Sequence, residues 1–73
     1  MILKIDFGVM ARPLEKQLAR IGLKADNDDV LADRQREADM LALLSIGGFL
    51  TDAEVDRGRR RLMKRIAKDV RPR

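Results

Sequence analysis

A mainly α-helical, all-α type domain of three helices is what the chain predicts, with an N-terminal extended arm or single strand ahead of them and the last two helices an antiparallel hairpin. Three observations lead there. Apolar residues recur at three- and four-residue spacing over residues 12–22, 28–46 and 52–70. A Thr-x-x-Glu capping signal stands at Thr51. A single run, within residues 1–9, alternates with the period of a strand. A chain of 73 residues holds one small domain and one modest core.

In the leading run Leu3, Ile5, Phe7 and Val9 alternate with Lys4, Asp6 and Gly8. A lone strand leaves its N–H and C=O groups without ladder partners, so this segment either pairs with another chain or lies as an arm on the helices. Ala11-Arg12-Pro13 opens the first helix, with Pro13 suited to the first helical position, where its missing N–H costs nothing. Leu14, Leu18 and Ile21 share one face, Gly22 fits a left-handed stop, and Leu23 is placed to fold back on that face.

Asp26-Asn27-Asp28-Asp29 supplies caps for the second helix and puts negative charge at the positive end of its dipole. Val30, Leu31, Ala38, Leu41 and Ala42 form its core face, while Met40, Leu43, Leu44 and Ile46 make its last turns apolar nearly all round. An end of that kind is central to a core or covered by a partner. Gly47-Gly48 stops it. Thr51 and Glu54 then form a capping box, flanked by Leu50 and Val55 at the staple positions. Val55, Gly58, Leu62, Met63, Ile66 and Val70 make the buried stripe of the third helix, and Arg71-Pro72-Arg73 is expected to be a frayed tail.

With no cysteine and no histidine there is no disulfide, no thiol nucleophile and neither of the commonest metal ligands. No nucleophile motif and no glycine-rich phosphate loop is present, so no catalytic residue, no metal and no cofactor is assigned, and the expectation is a protein that is not an enzyme. No stretch is long enough to span a membrane, and Met1 to Phe7 lacks the basic and apolar regions of a secretion signal. A cytoplasmic, complete chain is expected. A core this small supplies about 3–5 kcal/mol of net stability, so self-association is expected as well. Its interface candidates are Leu3, Ile5, Phe7, Met40, Leu44 and Phe49.

Charge, net +4, is segregated. Asp26, Asp28, Asp29, Asp33, Glu37 and Asp39 stand against Arg34 and Arg36. Later, Arg57, Arg59, Arg60, Arg61, Lys64, Arg65, Lys68, Arg71 and Arg73 stand against Asp69 alone. In a hairpin the two blocks come together and balance. Arg59 and Arg34 fall inside the apolar arcs of their helices, where a guanidinium must reach outward, pair with a carboxylate such as Asp33, Glu37 or Glu54, or hold an anion. Arg57, Arg60, Arg61, Lys64 and Lys68 share the outer face of the third helix, with Arg65 at its flank, the electrostatic footprint of phosphate binding. Ligand- or partner-binding candidates are therefore Arg34, Arg59, Arg57, Arg60, Arg61 and Lys64.

Phe7-Gly8-Val9-Met10, Pro13-Leu14 and Gln17-Leu18, followed by Gly48-Phe49-Leu50-Thr51-Asp52-Ala53-Glu54 and then Arg59, Arg61-Leu62 and Lys64-Arg65-Ile66, resemble a group of small uncharacterised helical proteins encoded by bacteriophages and prophages. The resemblance implies an accessory protein acting by stoichiometric binding to a host protein or to an anionic nucleotide, with counter-defence as one setting. The second half also resembles the short helical hairpin with a Gly-x-x-Thr-x-x-Glu turn at the C-termini of many oligomerising bacterial proteins, which implies a protein-contact module. The alternative is a DNA-binding transcriptional regulator, acting as a dimer through the basic third helix or through an N-terminal ribbon, since the strand, helix, turn, helix order resembles ribbon–helix–helix repressors. Asp26, Asp28 and Asp29 stand where those proteins contact phosphate.

Overall fold

A computed structural model describes residues 4–8 and 10–73. Leu3, the first interface candidate, and Val9 lie outside the described residues. The domain is mainly α-helical: α1 (Leu14–Arg20), α2 (Asp28–Ile46) and α3 (Asp52–Asp69). Two short strands that the periodicity does not predict, β1 (Leu23–Ala25) and β2 (Val70–Pro72), pair antiparallel.

The first helix is shorter than expected. Pro13 is its N-cap, with extended ψ of 147°, and not its first helical residue. The first helical N–H, of Leu14, is instead satisfied from a distance, donating to Gln35 Oε1 of α2 at 2.7 Å. A helix of seven residues cannot persist alone in water. Leu14 and Leu18 hold it, both 1% exposed, and each such burial contributes roughly 1.5–3 kcal/mol. Gly22, at φ +77°, then lets the chain reverse without a Cβ clash.

Beyond Gly22 the chain does not simply fold back. Leu23 is buried as the first residue of β1, and the expected frayed tail is β2, in the register Leu23↔Pro72, Lys24↔Arg71, Ala25↔Val70. The ladder continues at both ends, where Asp26 N–H donates to Asp69 C=O at 2.8 Å and Arg73 N–H donates to Gly22 C=O at 2.9 Å. Hydrogen-bonded pairs alternate with non-bonded ones in antiparallel pairing, so Pro72 falls at a non-bonded position, where its missing N–H is not needed. Lys24 and Arg71 oppose each other as like charges, and Arg71 turns to Asp26.

The core is Phe7, Leu14, Leu18, Leu23, Ala38, Leu62 and Ile66, with Ile5, Leu31, Met63 and Val70 packed against it. Residues 4–8 form no strand. Instead Phe7 is buried among the helices and Asp6 is gripped by Gln17: Asp6 N–H donates to Gln17 Oε1 at 2.8 Å, and Gln17 Nε2 donates back to Asp6 C=O at 2.9 Å. A side-chain amide thus supplies what a neighbouring strand would have supplied. Successive contacts between the long helices join Arg34 to Asp69, Glu37 to Arg65 and Leu41 to Gly58, rising along α2 and falling along α3. Among the described residues no helix is long and apolar enough to cross a membrane.

Candidate functional site: a basic ridge on the third helix

The orientation of α3 is set at its start. Thr51 Oγ1 accepts from Glu54 N–H at 3.2 Å while Glu54 Oε1 accepts from Thr51 N–H at 3.0 Å, completing the capping box. Hydrogen bonding to the Glu54 carboxylate, first from the Thr51 backbone N–H and then from the Thr51 side chain, together with the charge of Arg57, holds that carboxyl below the usual glutamate range. Val55, Leu62 and Ile66 are buried, which fixes the helix about its axis and turns the opposite side outward.

That outward side carries Arg57, Arg60, Arg61, Lys64 and Lys68, all exposed. At 1.5 Å rise per residue they form a ridge about 16 Å long from Arg57 to Lys68. Arg60 pairs with Asp56 one turn earlier, at 2.8 Å. Arg65, at the flank, reaches Glu37 of α2 at 2.8 Å. Among the described residues Arg57, Arg61, Lys64 and Lys68 make no ion pair. Balance between the acidic and basic blocks is therefore partial: Glu37 and Asp26 meet basic partners from the C-terminal block, and the ridge keeps its charge.

Two of the candidate binding residues do not belong to the ridge. Arg34 is partly buried and committed to the fold, its Nε donating to Asp69 Oδ2 at 2.8 Å and its Nη1 to Glu37 Oε1 at 2.9 Å. The hydrogen bond to Asp69, with the charges of Glu37, Asp69 and Asp33, raises its pKa further above the ordinary arginine value. The sequence supplies Glu37 as a partner but not Asp69, which lies 35 positions away at the end of α3. Arg34 is a tie between helices, its Nε and Nη1 spent on Asp69 and Glu37. Arg59, by contrast, has no ion pair among the described residues and is exposed. It borders a shallow cleft of about 170 Å³ whose floor includes Phe7, Leu41, Ala42 and Val55. An exposed guanidinium beside such a lining needs no partner, because its charge can reach solvent on a long stem.

The interface candidates separate in the same way. Phe7 is 5% exposed and so not free for another chain, while Ile5 packs partly buried against the same core. Leu44 is half-buried. Met40 and Phe49 are exposed, and Leu43 and Ile46, absent from the candidates, are exposed with them. The amphipathic reading of α2 could have found Leu43, which lies roughly 140° around the helix from Ala38, whereas Ile46 stands nearer the core face, at its flank.

Among the described residues no group of acidic side chains is placed to hold a metal ion. The fold and the ridge define a small helical domain, closed by a two-stranded clip, with one cationic helix face. Comparison with protein-family models, with curated proteins and with solved structures finds no match.

Proposed function

We propose that this is a non-enzymatic binding protein that engages the phosphate backbone of a nucleic acid through the α3 ridge. The two long helices, read as an antiparallel hairpin, serve as its rigid support. The observation that carries this reading is the disposition of Arg57, Arg61, Lys64 and Lys68: exposed, without ion pairs among the described residues, and strung along one face. A discrete nucleotide calls for donors that converge on one phosphate group. Here the cations are spread over about 16 Å, which matches an extended polyanion. The ridge carries no aromatic residue, both phenylalanines lying elsewhere, so contact is with phosphates and not with stacked bases. A phage-type accessory role and a counter-defence setting are proposed on the resemblance alone.

Binding of a short duplex, followed as a function of salt, tests the reading. Four or five phosphate contacts give a slope of log affinity against log salt of roughly −4. A triple variant, Arg57→Gln, Arg61→Gln and Lys64→Gln, flattens that slope by roughly 3 at unchanged helical content. Absence of binding at low salt, or binding indifferent to salt, contradicts it.

A further inference from the structure

We infer that the outer face of the last turns of α2 is where a second copy of this chain docks, Met40, Leu43, Ile46 and Phe49 of each protomer closing on the same residues of the other about a two-fold axis near Leu43. These side chains are 58%, 61%, 70% and 76% exposed. They are also contiguous by construction. Gly47 follows Met40 and Leu43 around the same face, and the Phe49 ring folds over it so closely that a Cβ at Gly47 would stand 2.7 Å from Cε2. The turn thus lays the ring onto the helix face, extending the apolar surface past the helix end.

Area and charge select the occupant. The four side chains expose on the order of a few hundred Å² of apolar surface, the upper range for a monomer. Two such faces together approach the roughly 1,000 Å² total that a specific interface requires. Leu43, at the centre of the patch, lies roughly 120° and 160° around α2 from Glu37 and Leu41, the residues that meet Arg65 and Gly58 of α3, while Met40, one turn from Glu37, borders that contact. A copy seated there therefore places both α2 helices between the two basic ridges. At 8–10 Å per helix the ridges stay about 20 Å or more apart, beyond the Debye length at physiological salt. Pairing through α3 would instead oppose ridge to ridge. An isologous contact needs one self-complementary patch, and an apolar patch is complementary to itself.

Sedimentation of the full chain at tens of micromolar tests this directly, and a dimer is expected. Leu43→Lys places two unpaired charges at the axis and raises the dissociation constant at least about a hundredfold, with helical content unchanged because the position is exposed. The chain has no cysteine, so Leu43→Cys gives a second readout that does not depend on the lysine variant folding. Across a two-fold axis it oxidises to a covalent dimer, whereas Met10→Cys, at a 95% exposed position outside the patch, does not. A monomeric wild-type chain overturns the inference and leaves the face to a different protein. A dimer untouched by Leu43→Lys and not trapped by Leu43→Cys overturns it by assigning self-association to another surface.

Discussion

Gln17 holds Asp6 by both backbone groups, accepting from its N–H at 2.8 Å and donating to its C=O at 2.9 Å, so the leading segment is fastened to α1 without a second strand. The same Nε2 also donates to Arg12 C=O at 2.6 Å, tying the entry of α1 to the leading segment. Gln17→Ala removes three hydrogen bonds, two to Asp6 and one to Arg12, and at about 1 kcal/mol per net hydrogen bond the chain loses up to about 3 kcal/mol, read as a lower urea midpoint at unchanged slope. Gln17→Glu separates the two bonds. It can still accept from Asp6 N–H but, when ionised, has no donor for the two carbonyls, so it falls between wild type and alanine or below both. Equal stability of all three proteins would show that Phe7 alone seats the leading segment.

Arg34 and Arg59, alike in sequence pattern, are expected to behave oppositely on truncation. Arg34→Ala strands Asp69 at the end of α3 and leaves Glu37 to Arg65 alone, at a cost of about 1–3 kcal/mol for charge-assisted hydrogen bonds in a partly buried setting. Arg59→Ala removes an exposed charge with no ion pair among the described residues and shifts stability by no more than about 0.5 kcal/mol. Thermal melts of the two variants decide the matter, and the reverse order would contradict the placement of both side chains.

The contrast also marks how far the sequence is legible. Thr51 and Glu54 are three residues apart, so their capping box is written entirely in local spacing, as are Asn27 capping Val30 and the left-handed Gly22. The stripe of Val55, Leu62 and Ile66 is equally local, and with it the outward ridge. Asp69 as the partner of Arg34, Gln35 as the cap of α1, and the β1–β2 clip are not local: each joins residues brought together only after the helices have packed. Strands of three residues carry too little alternation to register, and Pro72 in one of them argues against a strand unless its unbonded register is known.

Glu54 predicts a pH dependence of definite sign. Its folded carboxyl titrates below the usual range because Thr51 donates to the charged form. A depressed folded pKa contributes stability that is present above the unfolded pKa and is lost as pH falls through the folded value. Glu54→Gln keeps an acceptor for Thr51 N–H but carries no titrating charge. Wild type should therefore melt above the variant at neutral pH, and the gap should close as pH falls below the ordinary glutamate range. Melting temperatures of both proteins across the acid range check this, and a gap that widens in acid would contradict it.

Gly58 lies where α3 packs closely on α2, since a Cβ there would stand 2.9 Å from Leu41 Cδ1. Two effects oppose each other in Gly58→Ala. Alanine favours the helix by about 1 kcal/mol over glycine. The new methyl meets the far end of a leucine, which can turn aside at a cost of the same order. The net change is expected to lie within about 1 kcal/mol of zero, so the single variant is uninformative about the contact. A double-mutant cycle resolves it. In a Leu41→Ala background the obstructing carbons are gone, and Gly58→Ala should then stabilise by close to its full helix preference, giving a coupling of about 1 kcal/mol measured by urea denaturation. Strict additivity would mean that the helices are not in contact at this position, and with it the support of the ridge against α2 would fail.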